Sequence, residues 1–186
     1  LETTDVYIGG QDGVHTYRIP CLVTTKKGTL LAICDARIPK YGDAPNKIHQ
    51  VVKRSADLGR TWSPMKTIVG FPGMQAAADP SVLADPVTGR VWVFYLYCPE
   101  GIGAHNSEPG FTERSTRSQV VWSDDDGLTW SKPYDISRQT KPAGWRDSWC
   151  GPGRGIRTRD GLLVVPFSGF ENAERRTSHV IVSSDQ

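Results

Sequence analysis

The 186-residue chain carries a formal net charge of +2, with 38% hydrophobic and 23% charged residues. That balance is ordinary for a soluble globular protein with one good core or two small domains. It excludes an acidic disordered tail and a generic basic nucleic-acid binder. The longest apolar runs, such as Val91–Leu96, are far too short to span a membrane. No charged-then-apolar leader opens the chain at Leu1, so a mature form or a cytosolic protein is expected.

Nineteen glycines, thirteen prolines and six tryptophans suit many short strands joined by turns, with indoles filling between layers. No stretch sustains a helical period. Residues Asp5 to Gly13 are turn-rich, and a first strand is expected near Thr16–Thr25. Within it Tyr17-Arg18-Ile19-Pro20 sets a lone cation between hydrophobic neighbours. The proline removes a ladder donor, which predicts an edge strand or an irregular start. An arginine fork at such a place matches a carboxylate in bidentate fashion; the alternative is an exposed surface arginine. Lys26-Lys27-Gly28 turns into a second strand, Thr29–Asp35. Residues Arg37–Asn46 form a loop, Ile48–Arg54 a third strand, and a fourth follows Ser63-Pro64.

A second meander repeats the plan. Ser81–Asp85 and Arg90–Cys98 read as strands about the Pro86-Val87-Thr88-Gly89 turn, and Pro99–Thr116 as a long loop. Gln119–Trp122 is the next strand. A third meander starts after Asp135, where Gly155–Thr158 and Leu162–Phe167 flank an Arg159-Asp160-Gly161 turn and His179–Val182 is a strand. A two-residue turn at Lys27-Gly28 would set Cys21 opposite Cys34. A cross-strand disulfide there would be strained, so buried free thiols are the favoured reading. No Cys or His spacing resembles a zinc site, and no cofactor is implied.

Two octapeptides share the pattern Ser-x-Asp-x-Gly-x-Thr-Trp: Ser55, Asp57, Gly59 and Trp62 in the first, Ser123, Asp125, Gly127 and Trp130 in the second. Ser183-x-Asp185 opens a third. Repeats of this size with four strands each are a propeller signature. The chemistry of the octapeptide is that of a tight turn. Ser and Asp accept backbone amides, glycine supplies a positive φ, and the indole packs beneath. Calcium-ligating or catalytic roles for Asp57 and Asp125 are the alternative.

These octapeptides are Asp boxes, and with Tyr17-Arg18-Ile19-Pro20, Asp35-Ala36-Arg37, Asp43 and Lys53-Arg54 the whole chain resembles the exo-α-sialidases (neuraminidases). The resemblance implies an all-β, six-bladed β-propeller, of which this single partial domain, 1–186, supplies roughly the first three antiparallel four-stranded blades and stops at the start of a third box. It implies hydrolysis of terminal sialic acid from glycoconjugates by a retaining mechanism, with three arginines on the sugar carboxylate and a tyrosine nucleophile, an exception among glycosidases. By that resemblance Arg18 is the first clamp arginine, Arg37 an accessory arginine near the same carboxylate, and Asp43 the acid/base. Asp79 stands beside the N-acyl pocket; by residue chemistry it equally caps the turn before Pro80. Gly151-Pro152-Gly153-Arg154-Gly155-Ile156 resembles the entry into the third blade.

Departures from the family pattern are Asp35-Ala36-Arg37 for Glu-Gly-Arg, Arg157 for Gln, and Phe167 where some members place a sugar-contacting tyrosine. The remaining clamp arginines, the glutamate and the nucleophile find no match, and neither Tyr134 nor Glu171 lies in a matching pattern. The chain by itself is therefore expected to be inactive. Its expected partner is a sialylated glycan, with no nucleic acid and no membrane span, and the piece is expected to associate with itself or with a complementary C-terminal half. The family suggests a secreted or periplasmic location. The alternatives are a non-catalytic Asp-box propeller binding acidic glycans, and a related glycosidase acting on another sugar.

Overall fold

The computed structural model describes residues 3–172 and 174–184. The first meander comprises β1 (Thr16–Thr24), β2 (Leu30–Arg37), β3 (Ile48–Ser55) and β4 (Lys66–Val69), antiparallel in chain order. The second comprises β5 (Ala76–Ala84), β6 (Val91–Cys98), β7 (Arg117–Ser123) and the short β8 (Tyr134–Asp135). One turn of helix, α1 (Ser137–Thr140), leads to β9 (Asp147–Cys150), β10 (Gly153–Arg154), β11 (Ile156–Arg157), β12 (Leu163–Phe170) and β13 (Arg176–Ser183). β12 pairs with β13 on one side and with β9 and β11 in succession on the other. Between them β10 leaves that sheet and runs parallel to β5. The described residues thus form two four-stranded blades and three strands' width of a third. Asp185 of the incipient third box lies outside them.

Alternation along the strands lets each blade bury both faces. Leu31, Ile33 and Val52 of the first blade meet Val82, Val93 and Val121 of the second in one cluster. Leu83, Trp92 and Val120 of the second meet Leu163, Val165 and Phe167 of the third in another. Each such side chain contributes on the order of 1.5–3 kcal/mol when removed from water. Phe167 is only 2% exposed and packs edge-on against Phe94. It faces the interface between the second and third blades.

Two expectations about register change. The β1–β2 turn closes through Thr25 N–H to Thr29 O, with Gly28 at φ +86°. It therefore holds three residues, and Cys21 pairs with Ile33, not with Cys34. A one-residue slip sends a side chain to the other face. Cys21 accordingly joins the core between the first two blades, while Cys34 packs with Val14, Ala36 and Val51. All four cysteines are free and buried. Second, β5 begins at Ala76, five residues before its expected start. Alanines of low strand propensity and an internal proline hid it.

The boxes close as expected. Ser55 Oγ accepts the Gly59 N–H at 2.8 Å, and Asp57 accepts the N–H and hydroxyl of Thr61 at 2.9 and 2.6 Å. Ser123, Gly127, Asp125 and Thr129 repeat this. These bonds, the Thr61 and Thr129 contacts first, hold the Asp57 and Asp125 carboxyls down at about 2. Trp62 lies under Gly59, and Trp130 packs on the core between the first two blades. The repeat is one residue longer than the octapeptide. The hydroxyls of Ser63 and Ser131 accept the N–H groups of Arg54 and Trp122, each at 3.0 Å.

Candidate functional site

The site grows from two irregular inner strands. β1 shifts register between Arg18 and Cys21, and β5 between Ala78 and Ser81. At the shifts Ile19 and Asp79 take φ of +55° and +56°, each just before a proline. Left-handed backbone costs a β-branched residue about 1–2 kcal/mol, and such strain gathers where a side chain must be aimed. The proline in Tyr17-Arg18-Ile19-Pro20 therefore marks a bulge in an edge strand, as its missing N–H requires.

Arg18 lies directly across from Asp35, and Arg37 is two residues further along β2 on the same face. Arg37 is 1% exposed, so its charge is met by partners. Its guanidinium donates to Asp35 Oδ2 at 3.3 Å and to the Tyr41 carbonyl at 3.0 Å, and pairs with Asp43 Oδ1 at 2.6 Å. Arg18 reaches the same Asp43 oxygen at 3.4 Å, and its guanidinium lies 5.1 Å from the Tyr41 ring centroid. The Asp43 side chain is 78% exposed. Its loop is pinned by Asn46, which donates to the carbonyls of Lys40 and Gly42 at 3.0 and 2.7 Å. Two guanidinium groups thus converge on one exposed carboxylate at the mouth of a small cavity.

That cavity holds about 100 Å³. Ala44, Ile48, Ala78 and Leu96 form an apolar lining, while Arg37, Asp43, Asp79 and His105 supply the polar groups. Trp149 of β9 packs on the same apolar cluster. Burial holds the Asp79 carboxyl above its ordinary range, with the Asp43 charge adding to the effect and Arg37 and Arg18 opposing it. Burial likewise pushes Asp35 up to about 7, assisted by Asp79 and opposed by Gln50 and Arg37.

The structure brings together Arg18, Arg37, Asp43 and Asp79, which the sequence singled out. The box residues Ser55, Asp57, Ser123 and Asp125 sit in turns away from them, as structural parts. Arg157 turns to Asp85 at 3.2 Å, between the third and second blades. Tyr134 lines the groove between those blades, and Glu171 pairs with Arg175. Tyr41, Gln50, His105 and Trp149 were missed. Only Gln50 left a signal, as the one amide on the Ile48–Val52 face of β3. No group of three or more His, Cys, Asp or Glu among the described residues could hold a metal. No described helix is long and apolar enough to cross a membrane.

Comparison with known proteins agrees with this geometry. The BNR repeat-like domain family matches residues 19–186. A sialidase of Bacteroides fragilis is 36% identical over 188 aligned positions, covering 95% of this chain and 34% of that protein. A sialidase of Micromonospora viridifaciens is 34% identical, covering 84% of this chain and 25% of that one. Among solved structures, a Hadza microbial sialidase superposes with a TM-score of 0.90 at 36% identity, over 95% of this chain and 37% of that one. The chain spans between a quarter and somewhat over a third of the length of these relatives.

Proposed function

We propose, because the chain belongs to the sialidase family with BNR repeats and has the fold of part of a sialidase β-propeller, that it carries one half of an exo-α-sialidase active site. The observation that carries this reading is the convergence of Arg18 and Arg37 on Asp43, at 3.4 and 2.6 Å. Two fixed cations beside a cavity suit an anionic sugar, since a guanidinium fork matches a carboxylate. Asp43 supplies the acid that protonates the leaving oxygen. To do so it leaves the arginines to the arriving substrate carboxylate, takes up a proton from water at its exposed position, and passes that proton to the leaving oxygen. Asp79 and the apolar lining from Ala78 and Leu96 suit an N-acyl group, whose N–H needs an acceptor and whose methyl needs a dry wall.

In this reading the clamp arginines and nucleophile not found here come from elsewhere in the complete enzyme, and the chain alone is inactive. A sialylated glycan is the substrate class. The test is Asp43→Ala in the complete protein, assayed with a natural sialoside and with an aryl sialoside bearing a good leaving group. Acid assistance is worth about 10²–10⁴-fold where the leaving group is poor. The natural substrate should lose most of that factor and the aryl substrate far less. Equal losses on both would remove Asp43 from the acid/base role.

A further inference from the structure

Asp35 is wholly buried, yet it touches neither the cavity nor solvent. Its Oδ1 accepts Gln50 Nε2 at 2.7 Å and the backbone N–H of Asp79 at 3.0 Å. Its Oδ2 accepts Arg37 Nη2 at 3.3 Å. All three partners are donors; burial raises the Asp35 pKa, and the Gln50 and Arg37 contacts oppose this by favouring the ionised carboxylate. The Asp79 N–H lies inside the register shift of β5 and has no ladder partner there. Gln50 is in turn held by the Ala77 carbonyl at 2.9 Å, just before that shift. One side chain of the first blade therefore holds both an arginine of its own blade and the strained turn of the next.

We infer that Asp35 is a positioning residue that sets Arg37 and Asp79 in register with each other. Arg37 has rotamer freedom to lose and Asp79 has an unfavourable φ to maintain, and neither is fixed by its own strand. A buried carboxylate shared between them fixes their separation, which packing alone leaves loose. The consequence for catalysis rests on the sialidase reading above; the geometric role does not.

The first measurement needs no variant. In the ¹⁵N,¹³C-labelled chain, a through-hydrogen-bond coupling should join the Asp79 amide nitrogen to Asp35 Cγ, and that amide should resist hydrogen exchange. Absence of both overturns the inference even if Asp35 variants do not fold. In Asp35→Ala the Asp79 amide resonance should move and lose protection, while the Gly59 and Gly127 box amides stay in place; an unmoved Asp79 amide overturns it. In the complete enzyme, Asp35→Asn should raise KM for a sialoside about tenfold, the value of a hydrogen bond to a charged group, with kcat within about threefold. The loss should be less than additive with Arg37→Lys. A fall in kcat with KM unchanged, or full additivity, overturns the role in catalysis. If the coupling and protection hold but the wild-type enzyme cleaves no sialoside, the functional reading fails and the positioning role stands.

Discussion

Asp126 occupies a variable position in the second box, and replacing it with alanine tests how the blades are fastened. It is 8% exposed and accepts hydrogen bonds from the hydroxyls of Thr25 and Thr29 and from Arg54 Nη2, the last at 2.8 Å. All three donors belong to the first blade. Asp126→Ala strands two buried hydroxyls and takes the carboxylate from a three-quarters-buried guanidinium, which keeps only the position-126 backbone carbonyl, at 2.9 Å, as its partner at that residue. The charge-assisted bond is worth about 1.5–3 kcal/mol, and stranded hydroxyls cost on the order of 1 kcal/mol each. The sum, about 3.5–5 kcal/mol, agrees with the usual cost of breaking a buried ion pair. With a urea slope near 2 kcal/mol per M, the unfolding midpoint should fall by about 1.8–2.5 M. The control is Leu58→Ala, the same position of the first box, where the side chain is 78% exposed and the midpoint should stay put.

Acid adds a second readout. Burial alone would raise the Asp126 carboxyl, but the Thr25, Thr29 and Arg54 contacts outweigh it and hold it below the ordinary range. A depressed folded value means the stabilisation is complete above the unfolded value, about 3.9, and is lost as pH falls through the folded value. The wild type should therefore lose stability below about pH 4, and Asp126→Ala should lose less over the same interval. A midpoint shift under about 0.5 M, or identical acid slopes, would refute the view that this carboxylate fastens the second blade to the first.

Two further outcomes follow from burial. All four thiols are free and buried, and burial raises their pKa, to about 11 at Cys21; a thiol reagent at pH 8 should find none in the folded chain and four after denaturation. The open face of the third blade exposes Ile156, Val180 and Val182 at 51, 56 and 54%. Light scattering should show the isolated chain associating with itself through this patch, and Val180→Lys with Val182→Lys should return it to a monomer.

While Arg37, Asp43 and Asp79 are singled out by resemblance to the family, the sequence by itself determined most of the strands, the two boxes and the bulge at Tyr17-Arg18-Ile19-Pro20. Those features are local. Alternation, a turn that needs Ser, Asp and Gly at fixed offsets, and a proline that cannot join a ladder all act within a few residues. Only the tertiary structure decided the register of Cys21 against Ile33, because a single residue in a turn moves every partner in the hairpin. It alone showed that Asp126 faces the first blade whereas Leu58, at the same box position, faces solvent. It also joined Asp35 to an amide 44 positions away. Contacts of that kind are set by which blade faces which, and no short pattern in the chain records that.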